Sequence, residues 1–190
     1  NGVLRFLYNN QNRLEERIDQ TGQSEYWNYD ADGRCCLYRD RNGQETTYTY
    51  NMLGSLTGRR STGDVSCNES FEYTPEGYLS TAIGGGMRYD YDYDEYGRII
   101  AKKASGRTLL SYAYDAEGRV SSRRDLTGKE TAYRYNEYGF LEKVMDNGIE
   151  TAVYDYTPDG RIAGVTNGEL RSTYASDAEG SLQSMTTMLG

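Results

Sequence analysis

The chain has 190 residues, enough for one domain or one repeat array, and its 20 Tyr against 3 Phe and 1 Trp make tyrosine the main source of buried ring area. A formal net charge of −8 argues against nucleic-acid binding, which draws on Lys and Arg to neutralise phosphates. The absence of His removes His-dependent triads and the commonest transition-metal ligand, and no apolar run approaches the ~20 residues of a membrane-spanning helix.

Taken in chain order, the sequence is one element repeated. Its motif is Tyr, then Asp, Asn or Thr, two free positions, Gly, one free position and an aliphatic residue. It occurs as YNNQNRL, YDADGRC, YNMLGSL, YTPEGYL, YDEYGRI, YDAEGRV, YNEYGFL and YTPDGRI, with a degenerate SDAEGSL at the end. The leading residues are Tyr8, Tyr29, Tyr50, Tyr73, Tyr93, Tyr114, Tyr135, Tyr156 and Ser176, spaced by 21, 21, 23, 20, 21, 21, 21 and 20. The expected organisation is a single array over residues 1–190. Because it starts mid-pattern and without an initiator Met, it reads as a fragment of a larger protein.

Each column of the motif has a physical task. The glycines, Gly33, Gly54, Gly77, Gly97, Gly118, Gly139, Gly160 and Gly180, with Asn12 in the first copy, are residues that tolerate positive φ. The Asp, Asn or Thr after each Tyr can cap backbone N–H groups of a turn, and the two prolines, Pro75 and Pro158, fall where position i+1 of a type I turn prefers them. Together these specify a type I turn followed by a left-handed Gly, the three-residue hairpin loop with a G1 bulge. A second turn signal recurs about ten residues on, at Thr21–Gly22, Asn42–Gly43, Thr127–Gly128, Asn147–Gly148 and Asn167–Gly168. Two turns per period leave two strands. The expected fold is therefore all-β: tandem hairpins of about 21 residues forming one long antiparallel sheet that curls or spirals.

Pairing across such a hairpin sets Asp30 against Arg34, Asp94 against Arg98 and Asp115 against Arg119. The other face sets the leading Tyr against the aliphatic column, as in Tyr50–Leu56 and Tyr135–Leu141. Two residues before each leading Tyr lies a second ring column, Phe6, Trp27, Tyr48, Phe71, Tyr91, Tyr112, Tyr133, Tyr154 and Tyr174. Its expected partners include the small residues Gly58, Thr81, Ala101, Ser122 and Gly164. Val144 and Val165, three beyond Leu141 and Ile162, break the alternation and mark a bulge or a second contact face. The outer column accepts Phe and Trp, so it wants only a ring. The leading column never takes Phe, so its hydroxyls should be hydrogen-bonded, giving a structural ladder of buried tyrosines: Tyr8, Tyr29, Tyr50, Tyr73, Tyr93, Tyr114, Tyr135 and Tyr156.

No catalytic, metal-binding or cofactor-binding residue emerges. In RYDYDYDEYGRII, Asp94 belongs to the turn column, whereas Asp90 and Asp92 occupy columns where no acid recurs and read as a solvated polar face. Gly84–Gly86 lacks the Lys-Ser/Thr and helix of a phosphate loop and reads as a loose hairpin turn. Cys35, Cys36 and Cys67 show no CxxC spacing; Cys35 fits the aliphatic column, and a Cys35–Cys67 bridge is conceivable. Without His or a Ser-x-x-Lys signature, none of the Ser and Thr hydroxyls reads as a nucleophile. Outward aromatics such as Tyr26, Tyr38, Tyr96 and Tyr138 could stack on sugars, and Tyr96 and Tyr138 are the candidate glycan contacts.

The motif copies YDADGRC, YDEYGRI and YDAEGRV resemble the YD repeats of the Rhs family, and the resemblance covers nearly the whole chain. It implies hairpin repeats coiled into a hollow shell, as in bacterial Rhs polymorphic toxins, encapsulating subunits of insecticidal toxin complexes and the teneurin YD shell. There the shell is structural and encloses a toxin domain or supports adhesion modules. The resemblance thus implies a non-enzymatic scaffold segment of a secreted or cell-surface protein. Its partners would be the remainder of its own chain and glycans, with no nucleic acid and no membrane span in this fragment. The family's C-terminal self-cleavage motif and any toxin domain are missing from this sequence. The alternative is a carbohydrate- or cell-wall-binding module.

Overall fold

A computed structural model describes residues 3–189. Its strands are β1 Arg5–Tyr8, β2 Leu14–Ile18, β3 Ser24–Tyr29, β4 Cys35–Arg39, β5 Glu45–Tyr50, β6 Leu56–Ser61, β7 Glu69–Tyr73, β8 Leu79–Gly84 and β9 Met87–Tyr93. They continue with β10 Ile99–Ala104, β11 Arg107–Tyr114, β12 Val120–Asp125, β13 Glu130–Tyr135, β14 Leu141–Asp146, β15 Ile149–Tyr156, β16 Ile162–Asn167, β17 Leu170–Ser176 and β18 Leu182–Leu189. Among the described residues there is no α-helix; the one helical turn is a 3-10 segment over Val65–Cys67. The fold is all-β and antiparallel, as the repeat implies. Its contacts form two compact units, one running to Asp92 and including Ala104–Gly106, the other comprising Tyr93–Lys103 and the chain from Arg107 onward.

In the first unit β1 to β9 pair antiparallel in sequence order. In the second, β11 to β18 do the same. The YD turns have the expected form. Gly33 donates its N–H to the Asp30 carbonyl at 3.0 Å and sits at φ +84, while Asp30 N–H closes the loop on the Arg34 carbonyl at 2.9 Å. One oxygen of Asp30 caps the N–H groups of Asp32 and Arg34 at 3.0 and 2.9 Å.

The second turns are of two kinds. Asp19, Asp40 and Asp125 open three-residue loops of the same type, closed on Gln23, Gln44 and Lys129 at 2.9–3.0 Å. Asn147–Gly148, at φ 48 and 82, is instead a two-residue turn between the paired Asp146 and Ile149. Gly84–Gly86 corrects the expectation of a loose turn: Gly84 pairs with Met87, and Gly85 and Gly86, at φ 57 and 75, make a tight two-residue loop. The 23-residue spacing between Tyr50 and Tyr73 accommodates the 3-10 segment, whose cap Asp64 accepts the Ser66 N–H at 2.9 Å.

A bulge recurs at every YD hairpin whose register is described. Ala113 pairs with Ser122 but Tyr114 pairs with Val120, so Ser121 is an extra residue. This corrects the partners expected for the outer rings. Tyr48 faces Arg59, Phe71 faces Ala82 and Tyr112 faces Arg123, one residue beyond the small residues Gly58, Thr81 and Ser122. It also explains Val144 and Val165, which the bulge brings opposite Tyr133 and Tyr154.

No thick core forms. Ala104 is the one buried apolar side chain among the described residues, with Glu25, Thr81 and Thr131 the buried polar ones. The strand contacts are with sequence neighbours, so among the described residues no second layer covers either unit's sheet. Tyr29, Tyr50, Tyr73, Tyr93, Tyr114, Tyr135 and Tyr156 are accordingly half-buried rather than buried, and Tyr8 is exposed.

Candidate functional site

The repeated site is a latch between successive hairpins. Each latch begins with the tyrosine that ends the first strand of a YD hairpin. Its hydroxyl reaches back to the carbonyl that opens the second strand of the preceding hairpin. Tyr29 donates to the Leu14 oxygen, Tyr50 to Cys35, Tyr73 to Leu56, and Tyr114 to Ile99, all at 2.7 Å. Tyr135 donates to Val120 at 2.9 Å and Tyr156 to Leu141 at 2.8 Å. The hydroxyls therefore serve main-chain groups whose ladder is interrupted by the adjacent bulge.

The rings of Tyr29, Tyr50, Tyr114, Tyr135 and Tyr156 are each covered by the residue that follows the left-handed turn residue, Gly or Asn12, in the preceding hairpin. The Arg34 guanidinium lies 4.9 Å from the Tyr50 centroid, Arg98 lies 4.3 Å from Tyr114, and Arg119 lies 4.5 Å from Tyr135. Arg13 sits 5.7 Å over Tyr29. In the seventh copy Phe140 takes the place of Arg and stacks on Tyr156, with centroids 4.9 Å apart. Each of three of these arginines is steered by its own turn aspartate: Arg34 Nε, Arg98 Nε and Arg119 Nε each donate to Oδ2 of Asp30, Asp94 and Asp115 at 2.7 Å.

The turn glycine of the second hairpin completes the latch. A Cβ on Gly118 would lie 3.3 Å from Arg98 Nη1, one on Gly139 would lie 3.4 Å from Arg119 Nη1, and one on Gly160 would lie 2.8 Å from Phe140 Cζ. At Gly33 it would overlap the Arg13 guanidinium. Gly33, Gly118, Gly139 and Gly160 thus serve two purposes, the left-handed turn and the seat of the neighbour's side chain. The sequence pointed to the Asp–Arg pairs and the bonded hydroxyls. It did not reveal the arginine's stacking across hairpins, although recurrence of Arg34, Arg98, Arg119 and Arg161 after the glycine, and of Arg13 after Asn12, was the available signal.

The electrostatics follow from this geometry. At Asp30, Asp94 and Asp115, partial burial opposes ionisation, but backbone and guanidinium hydrogen bonds with the arginine charge outweigh it and hold each carboxyl below the usual range. Burial pushes the phenols of Tyr29, Tyr50, Tyr114, Tyr135 and Tyr156 above their ordinary value.

Other candidates have structural surroundings. Asp90 is not merely solvated: it pairs with Arg88 at 2.8 Å and accepts the hydroxyl of buried Thr81 at 3.1 Å. Among the described residues no three His, Cys, Asp or Glu side chains gather as metal ligands would. Cys35, Cys36 and Cys67 are free thiols, so the conceivable bridge is absent. Tyr96 and Tyr138 stand at turn tips, 72 % and 76 % exposed. Arg98 lies 4.9 Å over the Tyr96 ring and so engages one of its faces. Tyr138 borders an open cleft with Phe140, Tyr154, Tyr156 and Pro158.

A family model described as teneurin YD-shell matches residues 3–138. The double-stranded DNA deaminase toxin A of Burkholderia cenocepacia is 28 % identical over 159 residues, which cover 83 % of this chain and 11 % of that protein. The tRNA3(Ser)-specific nuclease WapA of Bacillus spizizenii is 31 % identical over 93 residues, covering 48 % of this chain and 4 % of that one. The chain thus spans only a small part of either relative. Among solved structures, a TcdB2-TccC3 crystal structure superposes with a TM-score of 0.72 at 14 % identity, over 98 % of this chain and 13 % of that one. The Photorhabdus luminescens Tc holotoxin pore gives a TM-score of 0.73 at 13 % identity, over 99 % and 12 %. Those likenesses bear on the fold.

Proposed function

The chain belongs to the teneurin YD-shell family, and from that premise we propose that it is one array, residues 1–190, within a longer secreted or cell-surface protein, where it forms wall. Its work is mechanical: it encloses or presents other domains of the same chain, such as a C-terminal toxin, and performs no chemistry itself. The observation that carries this reading is the latch, because its recurring parts, the Tyr hydroxyl, the Arg or Phe cover and the Gly seat, are all used to hold one hairpin to the next. Further support comes from two relatives, which are named as a DNA deaminase toxin and a tRNA nuclease and are much longer than this chain. Limited proteolysis of the full-length protein tests the proposal. A domain enclosed by the wall is cut only under conditions that unfold the array. Cleavage at the rate of the isolated domain, with the array still folded, rejects enclosure.

The second reading, glycan binding, is favoured by one observation: Tyr138 is 76 % exposed at the mouth of an aromatic cleft that also holds Asn136 and Asp155. Rings with nearby amide and carboxylate groups suit sugar stacking and hydroxyl recognition. On a glycan array, specific binding lost in Tyr138→Ala, with a smaller loss in Tyr96→Ala, supports it. Binding indifferent to both substitutions removes it.

A further inference from the structure

The tyrosine ladder lacks its ring at the ninth copy, where Ser176 stands in the leading position. One hairpin earlier in the same unit the position is filled: Tyr156 bonds the Leu141 carbonyl at 2.8 Å and lies against Phe140, 4.9 Å between centroids. At Ser176 the same walls surround an open pocket instead, lined by Arg161, Ile162, Val165, Tyr174, Ser176 and Leu182. Ser176 pairs with Leu182 across its hairpin in the same bulged register as the true tyrosines, so the backbone frame of the latch is intact and the ring alone is missing.

We propose that this pocket is a binding site for a para-substituted phenol, held as the ladder tyrosines are held. Each wall corresponds to a part of the filled latches. Ile162 occupies the column of Leu14, Cys35, Leu56, Ile99, Val120 and Leu141, whose carbonyls accept a tyrosine hydroxyl. At Ile162 no leading tyrosine is available to fill that role. Arg161 is the residue after Gly, the position from which Arg34, Arg98 and Arg119 cover the next ring. With no ring to cover, its Nη1 donates to the Asp177 carbonyl at 3.1 Å and its Nε faces Asp159 at 3.2 Å. The aliphatic walls remain open: Ile162 is 44 % exposed and Leu182 is 60 % exposed. A carbonyl acceptor at one end, a guanidinium on one face and aliphatic side chains around the edge select a flat ring with one hydroxyl. This site is independent of what the array encloses.

Methyl-detected NMR of the 190-residue chain titrated with p-cresol tests the proposal. Saturable shifts at the Ile162, Val165 and Leu182 methyls are expected. Toluene, which lacks the hydroxyl, should bind roughly tenfold more weakly, the worth of one hydrogen bond. Ser176→Tyr supplies the ring in cis and should abolish the p-cresol shifts while raising the melting temperature by about 2–4 °C. Ser176→Phe should also block p-cresol but stabilise less. A ligand bound away from these methyls, equal affinity for toluene, or p-cresol binding that persists in both variants overturns the assignment. N-acetyltyrosine amide in a parallel titration reports whether a tyrosyl side chain, as well as a free phenol, is accepted.

Discussion

The Tyr114 hydroxyl donates to the Ile99 carbonyl at 2.7 Å, and the guanidinium next to that carbonyl in sequence, that of Arg98, lies 4.3 Å over the same ring. Tyr114 thus makes both bonds of a latch, one to each of two consecutive residues, Arg98 and Ile99. Arg98 is in turn held by Asp94 at 2.7 Å, so the turn of one hairpin orients the group that clasps the next. In a sheet without a second layer, such lateral contacts take over the task that a core performs elsewhere.

Removing one hydroxyl should be felt in the ladder and not outside it. Tyr114→Phe orphans the Ile99 carbonyl and should cost about 1 kcal/mol, whereas Tyr48→Phe, in the outer ring column, should stay within about 0.5 kcal/mol of the parent. Urea denaturation of the two variants checks this. Equal losses would erase the distinction between the columns.

Glycines at left-handed turn positions should be intolerant for two separable reasons. Gly22 sits at φ +85 with open space around it, so Gly22→Ala carries only the left-handed strain, about 1–2 kcal/mol. At Gly160, φ +82, an added Cβ would also lie 2.8 Å from Phe140 Cζ, and Gly160→Ala should cost clearly more. Thermal melts rank the two. The reverse order would mean that the ring does not rest on the turn.

Stability should fall at both ends of the pH scale. Asp30, Asp94 and Asp115 have folded-state values below the ordinary carboxylate range, so the unfolded chain binds protons first on acidification. Their contribution is whole above the unfolded value, near pH 4, and is lost as pH falls through the folded one. The raised phenols act in the opposite sense: their contribution is whole below about pH 10 and is lost as pH rises through the folded value. The combined Asp30→Asn, Asp94→Asn and Asp115→Asn variant should flatten the acid limb alone. Asn is the proper replacement because Asn136 already caps Tyr138 and Phe140 N–H groups at 3.0 Å in the same column. Urea midpoints from pH 7 to pH 2 provide the comparison, and an unchanged acid limb would count against the carboxylates.

Thiol chemistry should follow exposure. Cys67 is exposed, whereas Cys35 is half-buried and burial pushes its thiol up. Mass spectrometry after timed alkylation at pH 8 should find Cys67 modified first and Cys35 well behind. Similar rates would indicate that the strand bearing Cys35 opens freely.

Much of this architecture was legible because one short motif is repeated. Period, turn type and the Tyr–aliphatic pairing follow from Gly and Asp at fixed offsets, which act locally. The outer-ring partners did not follow, because the extra residue at positions such as Ser121 has no mark in composition; only the displaced Val144 and Val165 hinted at it. Arg98 could be paired with Asp94 on paper, since both belong to one turn. Its place on Tyr114 could not, because that contact depends on how successive hairpins are offset and twisted. Half-burial of the tyrosines was likewise hidden, since sequence pattern distinguishes faces but not whether another layer covers one of them.

The central claim is that Arg and Tyr act together across hairpins. A double-mutant cycle on Arg98→Met and Tyr114→Leu, read by urea denaturation of the 190-residue chain, measures that coupling most directly. The latch predicts a favourable interaction of at least about 0.5 kcal/mol, as expected for a guanidinium over a ring at a partly exposed position. Losses that add to within about 0.3 kcal/mol would contradict it, leaving the two residues as neighbours without a shared role.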